Sequence, residues 1–356
     1  MADKYEDGIF GLIPEAEWLD VGLNLTPAMV EDPMDAVIGD ELTDNIVAKW
    51  QTIAEEYQTP TMAEFAGFDT EANTAFRIPI DTHSVEKGLI KQKINQSERM
   101  RALTRSGVRQ DALYDYILND GIRLARDVTM RTKVAKNELL STGKITINEN
   151  NLNLTVDYGV PKDHIGIKFV INDDTDVSEE IQKIIDKAQL DGVSINGMIC
   201  ASQTLSKMKT NKSLQQAING VNMIGARISN GALETYLSEE FEINRIITSD
   251  LTYGVYKGDD STGRPIIEQK RRFPANVITF FGTSAYVTQL GSGLWGIPPE
   301  VDLQNFLDVN QSQQPYVYIT QWAEHDPSVL WTKASSLFMP ALYSPTSLYI
   351  TKVTDK

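Results

Sequence analysis

The chain has 356 residues, 41% of them hydrophobic, a formal net charge of −16 and a single cysteine. That is ample material for a core, and one cysteine excludes an internal disulfide and fits a reducing compartment. No apolar run is long enough to span a bilayer, and the N-terminus MADKYEDGIF has neither the basic start nor the apolar core of a secretion signal.

The charge is concentrated at one end. Residues 1–71 hold 17 acidic and 2 basic side chains, whereas the rest of the chain holds 32 and 31. Between Lys87 and Lys144 the basic residues outnumber the acidic ones. An acidic arm ahead of a basic segment predicts two regions that attract each other, within one chain or between chains.

In chain order, residues 1 to about 60 mix short patterns with breakers at Pro14, Pro27, Pro33 and Gly39. Within them LTDNIVAKWQTIAEEY, from Leu42 to Tyr57, predicts a helix, with Thr43 as cap and Ile46, Trp50 and Ile53 on one face. Such a polar arm struggles to bury itself and is expected to lie along something else. From residue 66 to 107 the pattern alternates with period two, as in Phe76-Arg-Ile78-Pro-Ile80 and Leu89-Ile-Lys91-Gln-Lys93-Ile94. This predicts a two-stranded ribbon bent near Gly88, polar enough to need a neighbour for stability.

The stretch from Val108 to Ser141 organises the chain. It contains no proline, and Leu113, Ile117, Leu124, Val128, Ala135 and Leu139 recur at helical spacing, with Gly143 as the stop. Strands are expected in 144–171, then a helix over Val177 to Leu190 opened by Thr175 or Asp176. The strand GMICAS follows, with a helix from Gln203 that ends at Asn211 or at Ile218. Further strands are predicted at Glu242 to Ser249, Tyr253 to Lys257 and Val277 to Phe281, and in the tail as PYVYITQW, SVLWTKASSLFMPALY and SLYITKV.

Catalytic, metal and cofactor signatures give no candidate residues. Gly291-Ser-Gly293-Leu-Trp-Gly296 matches a dinucleotide fingerprint, but Pro298-Pro299 follows where a helix must start, so a turn between strands is expected. His83, His164 and His325 have no second ligand at metal spacing. Asp173, Asp174 and Asp176 lack the glycine of a calcium loop and read as a helix start. Cys200 sits in an apolar strand and reads as a packed thiol. Tyr114 and Tyr116 are too sparse among the basic residues for a nucleic-acid stacking platform, which leaves weak backbone contact.

The order of parts, with RTKVAKNELLSTGKITI, NLTVDYGVP, ANVITFFGTSAYVTQLGSGLWGIPPE and HDPSVLWTKASSLFMPALYSPTSLYITKV, is similar to the major capsid proteins of tailed bacteriophages. Within their Hong Kong 97-type (Johnson) fold the text resembles the lambda-like major capsid family, from about Phe76 to Val353. The resemblance implies an α+β chain with an N-terminal arm (1–65), an extended β-hairpin loop (66–107) and a peripheral domain with a spine helix (108–171). It further implies an α/β axial domain (172–300) and C-terminal strands returning to the peripheral domain (301–356).

It also implies a non-enzymatic shell protein that forms hexamers and pentamers around double-stranded DNA held by weak non-specific contact. The virion capsid would be assembled in the host bacterial cytoplasm with a portal protein, a scaffolding protein or protease, a decoration protein, and no membrane. Lys87, Lys91, Lys93, Arg99 and Arg101 of the ribbon are expected to pair between subunits with acids such as Asp35, Asp40, Glu41, Asp44, Glu55 and Glu56. The other readings are an encapsulin-type cargo shell, a tail-tube or other phage structural protein, and a hydrolase with carboxylates clustered in the axial domain.

Overall fold

A 33-residue helix, Gln110–Thr142, about 50 Å long at 1.5 Å per residue, runs through the computed structural model. The structure describes residues 30–54, 57, 59–66, 68, 71, 74–96, 110–149, 152–173, 175–220, 225–284, 288–301, 310–313, 316–326 and 328–354. Ahead of the helix come strands β1 (Ile38–Leu42), β2 (Val47–Thr52), β3 (Asp81–Glu86) and β4 (Gly88–Gln96); the helix is α1. Then follow β5 (Lys144–Glu149), β6 (Leu152–Asp157), β7 (Ile165–Val170), α2 (Val177–Leu190), β8 (Val193–Cys200), α3 (Ser202–Thr210), α4 (Lys212–Asn219) and α5 (Asn230–Phe241). The chain continues through β9 (Arg245–Thr248), β10 (Thr252–Asp259), β11 (Pro265–Arg271), β12 (Val277–Ser284) and β13 (Gly291–Gly296). It ends with β14 (Asn310–Gln313), β15 (Tyr318–His325), β16 (Ser328–Leu342) and β17 (Leu348–Thr354).

Two sheets sandwich the C-terminal half of α1. The first is built on β16, which pairs with β4 over Leu330–Phe338 along one edge, and with β15 and then β13 along the other. β1 extends it in parallel beside β13, and β14 closes the far side. Alternation sends Ile90, Ile94, Ile319, Leu330, Ala334 and Phe338 into the α1 core. The second sheet has the order β7-β17-β12-β8-β9. Its Ile199, Phe281, Leu348 and Ile350 join the α1 core, while Met198, Ile278, Phe280 and Tyr349 face the other way, into a core shared with α2–α5. The resulting layers are sheet, helix, sheet, helices.

This layering explains why α1 changes character along its length. Arg123, Arg126 and Asp127 are exposed, but from Thr132 onward nearly every side chain is buried, including Lys133, Lys136 and Asn137. Gly143, at φ +71, ends the helix, its N–H reaching Leu139 O at 2.8 Å.

Three local expectations are corrected. Residues 47–52 form a strand, not part of a helix, because Ala48, Trp50 and Thr52 alternate into the core and the backbone pairs with β3. Trp50 stacks on His83 and Tyr158, which fixes that alternation. β3 and β4 do not form a ribbon with each other: β3 pairs with β2, and β4 joins β16. Gly291 to Gly296 is a fully buried strand, not a turn. The predicted helix at 177–190 is present with those bounds, and Asp176 caps it by accepting from Ser178 N–H at 3.0 Å.

Candidate assembly surface

Residues 30–42 are strapped to α1 by buried charge. Asp32 caps the 3-10 turn Pro33–Ala36 through Met34 N–H at 3.0 Å, which aims Asp35 and then Asp40 at the helix. Lys136 Nζ lies 2.8 Å from Asp35 Oδ1 and 2.8 Å from Asp40 Oδ1, and donates to Ile38 O at 2.9 Å. Lys133 Nζ donates to Asp35 at 2.8 Å and lies 3.4 Å from Asp40 Oδ2. Trp295 Nε1 donates to Asp40 at 2.7 Å. One turn further on, Asn137 Nδ2 and Arg272 Nη1 both donate to Asp32 Oδ2, at 2.9 and 3.0 Å. With side chains 1% and 0% exposed, Lys133 and Lys136 require these carboxylates, since an unpaired ammonium there would have lost its hydration uncompensated.

Asp35 and Asp40 therefore make these ion pairs inside the chain. Of the two arrangements that the charge pattern left open, within one chain or between chains, these acids follow the first.

The three glycines of the fingerprint match each allow a close approach, and Gly293 allows that of the strap. A Cβ at Gly293 would stand 2.7 Å from Asp40 Oδ1 and 2.9 Å from Lys136 Cε, and one at Gly291 would stand 2.3 Å from Ala341 O. At Gly296 it would meet Lys87 at 3.1 Å. The glycines make room for an ion cluster, a neighbouring strand and a lysine stem; they cradle no phosphate.

Lys87 is likewise internal. It is buried, and Nζ donates to Thr43 O at 3.0 Å, to Thr43 Oγ1 and to Trp295 O at 2.8 Å. Burial pulls its pKa down to about 8, against the opposing pull of Asp44 and Glu41 in the same chain. Its ammonium is thus bonded within its own chain. Glu41 and Asp44 are exposed around it.

Lys91 and Lys93 remain exposed on the face of β4 turned away from α1. Pairing brings Trp331 and Lys333 of β16 and Trp322 of β15 onto that same face. Lys93 Nζ sits 4.0 Å from the Trp331 ring centroid, Trp322 and Trp331 stack at 6.3 Å, and Lys333 pairs with Glu300 at 2.7 Å. The sequence search for aromatics among the basic residues missed these rings because they lie more than 200 positions downstream. Arg99, Arg101, Glu55 and Glu56 fall outside the described residues.

Among the described residues, the most exposed apolar side chains belong to the connection between β2 and β3. Met62, Phe65 and Phe68 are fully or almost fully exposed, and Phe76 and Ile80 are more than half exposed. Tyr57 meets Phe76 with ring centroids 6.2 Å apart, tying the two ends of the connection together.

Among the described residues, the remaining candidate groups show no reactive arrangement. Burial raises the Cys200 thiol to about 12, the opposite of what a nucleophile needs. His164 is buried, with Nε2 3.1 Å from Asp191 Oδ2, which also accepts from Tyr349 OH at 2.8 Å. Burial, followed by Lys187, lowers its pKa. The trio ties α2 to β17 beneath a stacked Tyr349 ring. His83 bonds Thr52 Oγ1 at 2.8 Å, and the His325 side chain lies outside the described residues. Among the described residues no three His, Cys, Asp or Glu side chains cluster as metal ligands, and no helix is long and apolar enough to cross a membrane.

Residues 51–353 match the family described as Phage major capsid protein E. No curated protein matches the chain. Among solved structures, a candidate capsid protein of a prophage of E. coli CFT073 superposes with a TM-score of 0.55 at 12% identity, covering 95% of this chain and 97% of its own. A phage-related protein from Bordetella bronchiseptica RB50 gives 0.50 at 12% identity, covering 92% and 95%.

Proposed function

The chain belongs to the Phage major capsid protein E family, and from that premise we propose how it builds its shell. It is a structural component of the virion capsid that associates with copies of itself, and not an enzyme. In our reading the copies group as hexamers and pentamers, with 172–300 as the axial domain and 108–171 as the peripheral domain around α1. Residues 1–65 serve as the arm, 66–107 as the extended loop and 301–356 as the returning strands. The strand pairing favours three refinements of these limits: β13 goes with the peripheral sheet, and β7 and β17 with the sheet of the axial domain.

The observation that carries this reading is the β2–β3 connection, whose Met62, Phe65 and Phe68 stand in solvent in a single chain. Monomers rarely leave such a group of large apolar side chains uncovered, and copies in a closed shell cover them for one another. Lys91 and Lys93, with Arg99 and Arg101, would face acids of a neighbour such as Glu41, Asp44, Glu55 and Glu56. Reversing both Lys91 and Lys93 to Glu is expected to lower assembly yield while the monomer's circular dichroism stays unchanged. Normal particles from that variant would remove the charge pairing from the proposal.

Assembly in the host bacterial cytoplasm, with a portal protein and with a scaffolding protein or protease and a decoration protein, rests on the family alone. Weak contact with packaged double-stranded DNA fits the near-balance of charge beyond residue 71, since phosphate affinity grows with each cationic contact. Negative-stain electron microscopy beside size-exclusion chromatography tests the whole reading. Closed shells, or hexamer and pentamer rings, are expected. A monodisperse monomer at every concentration and salt, even after co-expression with neighbouring genes, would overturn it.

A further inference from the structure

Opposite the strap, α1 borders a second feature. Arg131 and Ala135 are one turn apart on the same face, about 200° around the helix from Lys133 for the former. There, β4, β5 and the end of β16 enclose a cavity of about 220 Å³. Its wall includes Ile90, Ala135, Ile145, Ile147 and Phe338; Lys91 and Arg131 stand among its polar lining. Leu89 and Leu152, 40% and 50% exposed, extend the apolar surface outward. Gly88 keeps the cavity open: a Cβ there would make only ordinary contacts, 3.6 Å from Phe338 O and 3.9 Å from Ile147 Cδ1, so a larger side chain would have room to enter.

We propose that this cavity is the receptor for the β2–β3 connection of a second copy of the chain, with the ring of Phe65 or Phe68 seated beside Ile147 and Phe338. The inference rests on the shell reading above and gives it a specific anchor. Size agrees, because an apolar cavity of about 150 Å³ already accepts a benzene ring. Charge agrees as well. Residues 54–81 carry six acids, Glu55, Glu56, Glu64, Asp69, Glu71 and Asp81, against the single base Arg77, and Lys91 stands at the cavity with Arg131. The lining holds two bases, Lys91 and Arg131, and one acid, Glu149, which pairs with Arg131 at 3.2 Å; that balance favours an incoming carboxylate. The chain does not fill its own cavity with these rings, since Phe65 and Phe68 are fully exposed. An aromatic side chain entering an apolar, desolvated pocket is the usual anchor of an interface.

Photo-reactive benzoylphenylalanine placed at position 65 or 68, in chains mixed with differently tagged wild type, tests the docking. Irradiated assemblies are expected to yield cross-links between chains at 88–91, 145–152 or 338–340. Gly88→Leu, which fills the cavity, and the surface variant Phe65→Ser/Phe68→Ser are each expected to lower particle yield at least tenfold with unchanged circular dichroism. Particles cross-linked elsewhere, or normal yield from the Phe65→Ser/Phe68→Ser variant, would overturn the docking and leave the shell reading standing. Wild-type chain that forms no particle under any condition would overturn the shell reading itself, and the docking with it.

Discussion

Residues 30–42 and residues 53–80 come from the same acidic quarter of the chain, yet the fold treats them in opposite ways. In the first stretch Asp32, Asp35 and Asp40 are spent on Arg272, Asn137, Lys133 and Lys136, and Met34 and Ile38 are buried. In the second, Met62, Phe65 and Phe68 face solvent. One stretch completes the subunit, and the other presents what the subunit has not covered. Acidic composition alone does not separate the two. What separates them is whether a cation is held at helical spacing opposite the acids, as Lys133 and Lys136 are on α1.

The sharpest way to break the comparison is to damage the strap. Lys136→Ala removes a fully buried lysine and leaves Asp40 and the one-third exposed Asp35 to Lys133 and Trp295. Removing one partner of a buried ion pair costs about 3–5 kcal/mol. Chemical denaturation of the monomer should show a loss of that size; a loss below about 1 kcal/mol would mean that the strap is not a stability element.

Lys87 offers a pH-dependent test of the same region. Its folded pKa, about 8, lies below the ordinary value of 10.5, so between those limits the unfolded chain binds the additional proton. Stability from this group is therefore fully present above pH 10.5 and is lost as pH falls through 8. Measured against Lys87→Met, the wild type should gain on the order of 3 kcal/mol between pH 8 and 10.5. Parallel stability curves for the two proteins would refute the assignment of a buried, reluctantly charged amine.

Gly291→Ala is a smaller perturbation of the strand that seats the strap. Its Cβ would stand 2.3 Å from Ala341 O, backbone that cannot swing aside. Overpacking of this kind costs about 1–3 kcal/mol, readable as a lower denaturation midpoint. Unchanged stability would mean that β13 and β16 can separate without penalty.

The parts legible in the sequence were those whose signal is local. The period of Leu124, Val128, Ala135 and Leu139 announced α1, and alternation announced β15, β16 and β17. The resemblance supplied the order of parts. The strap was legible only as two oppositely charged regions, because Asp35 and Lys136 are about 100 positions apart and no local pattern joins them. Gly291 to Gly296 was misread as a turn for a related reason: its glycines answer to Asp40, Lys136, Lys87 and Ala341, all distant in the chain. α5 has no counterpart among the predicted elements, although Ser229 as cap and Leu233, Leu237 and Phe241 at four-residue spacing carry the signal. The helix misplaced over Leu42 to Tyr57 shows the converse. Ile46, Trp50 and Ile53 do have helical spacing, but pairing with β3 and the stacking of Trp50 on Tyr158 outweigh a propensity worth only tenths of a kcal/mol per residue.

The smallest expected effect on folding bears most on assembly. Phe65 and Phe68 are exposed in the single chain, so Phe65→Ser/Phe68→Ser removes no buried contact that they make within it. Surface changes away from caps, pockets and ion pairs stay within about 0.5 kcal/mol, and the variant's unfolding curve should overlay the wild type's to that extent. A marked loss would mean that the β2–β3 connection packs on its own subunit in solution, and the contrast with residues 30–42 would vanish. An overlay, together with failed assembly, would locate the function of these rings outside the chain that carries them. The two stretches would then differ in kind: Lys136→Ala weakens the subunit before it can meet a neighbour, whereas the phenylalanine variant yields a sound subunit that has lost its anchor.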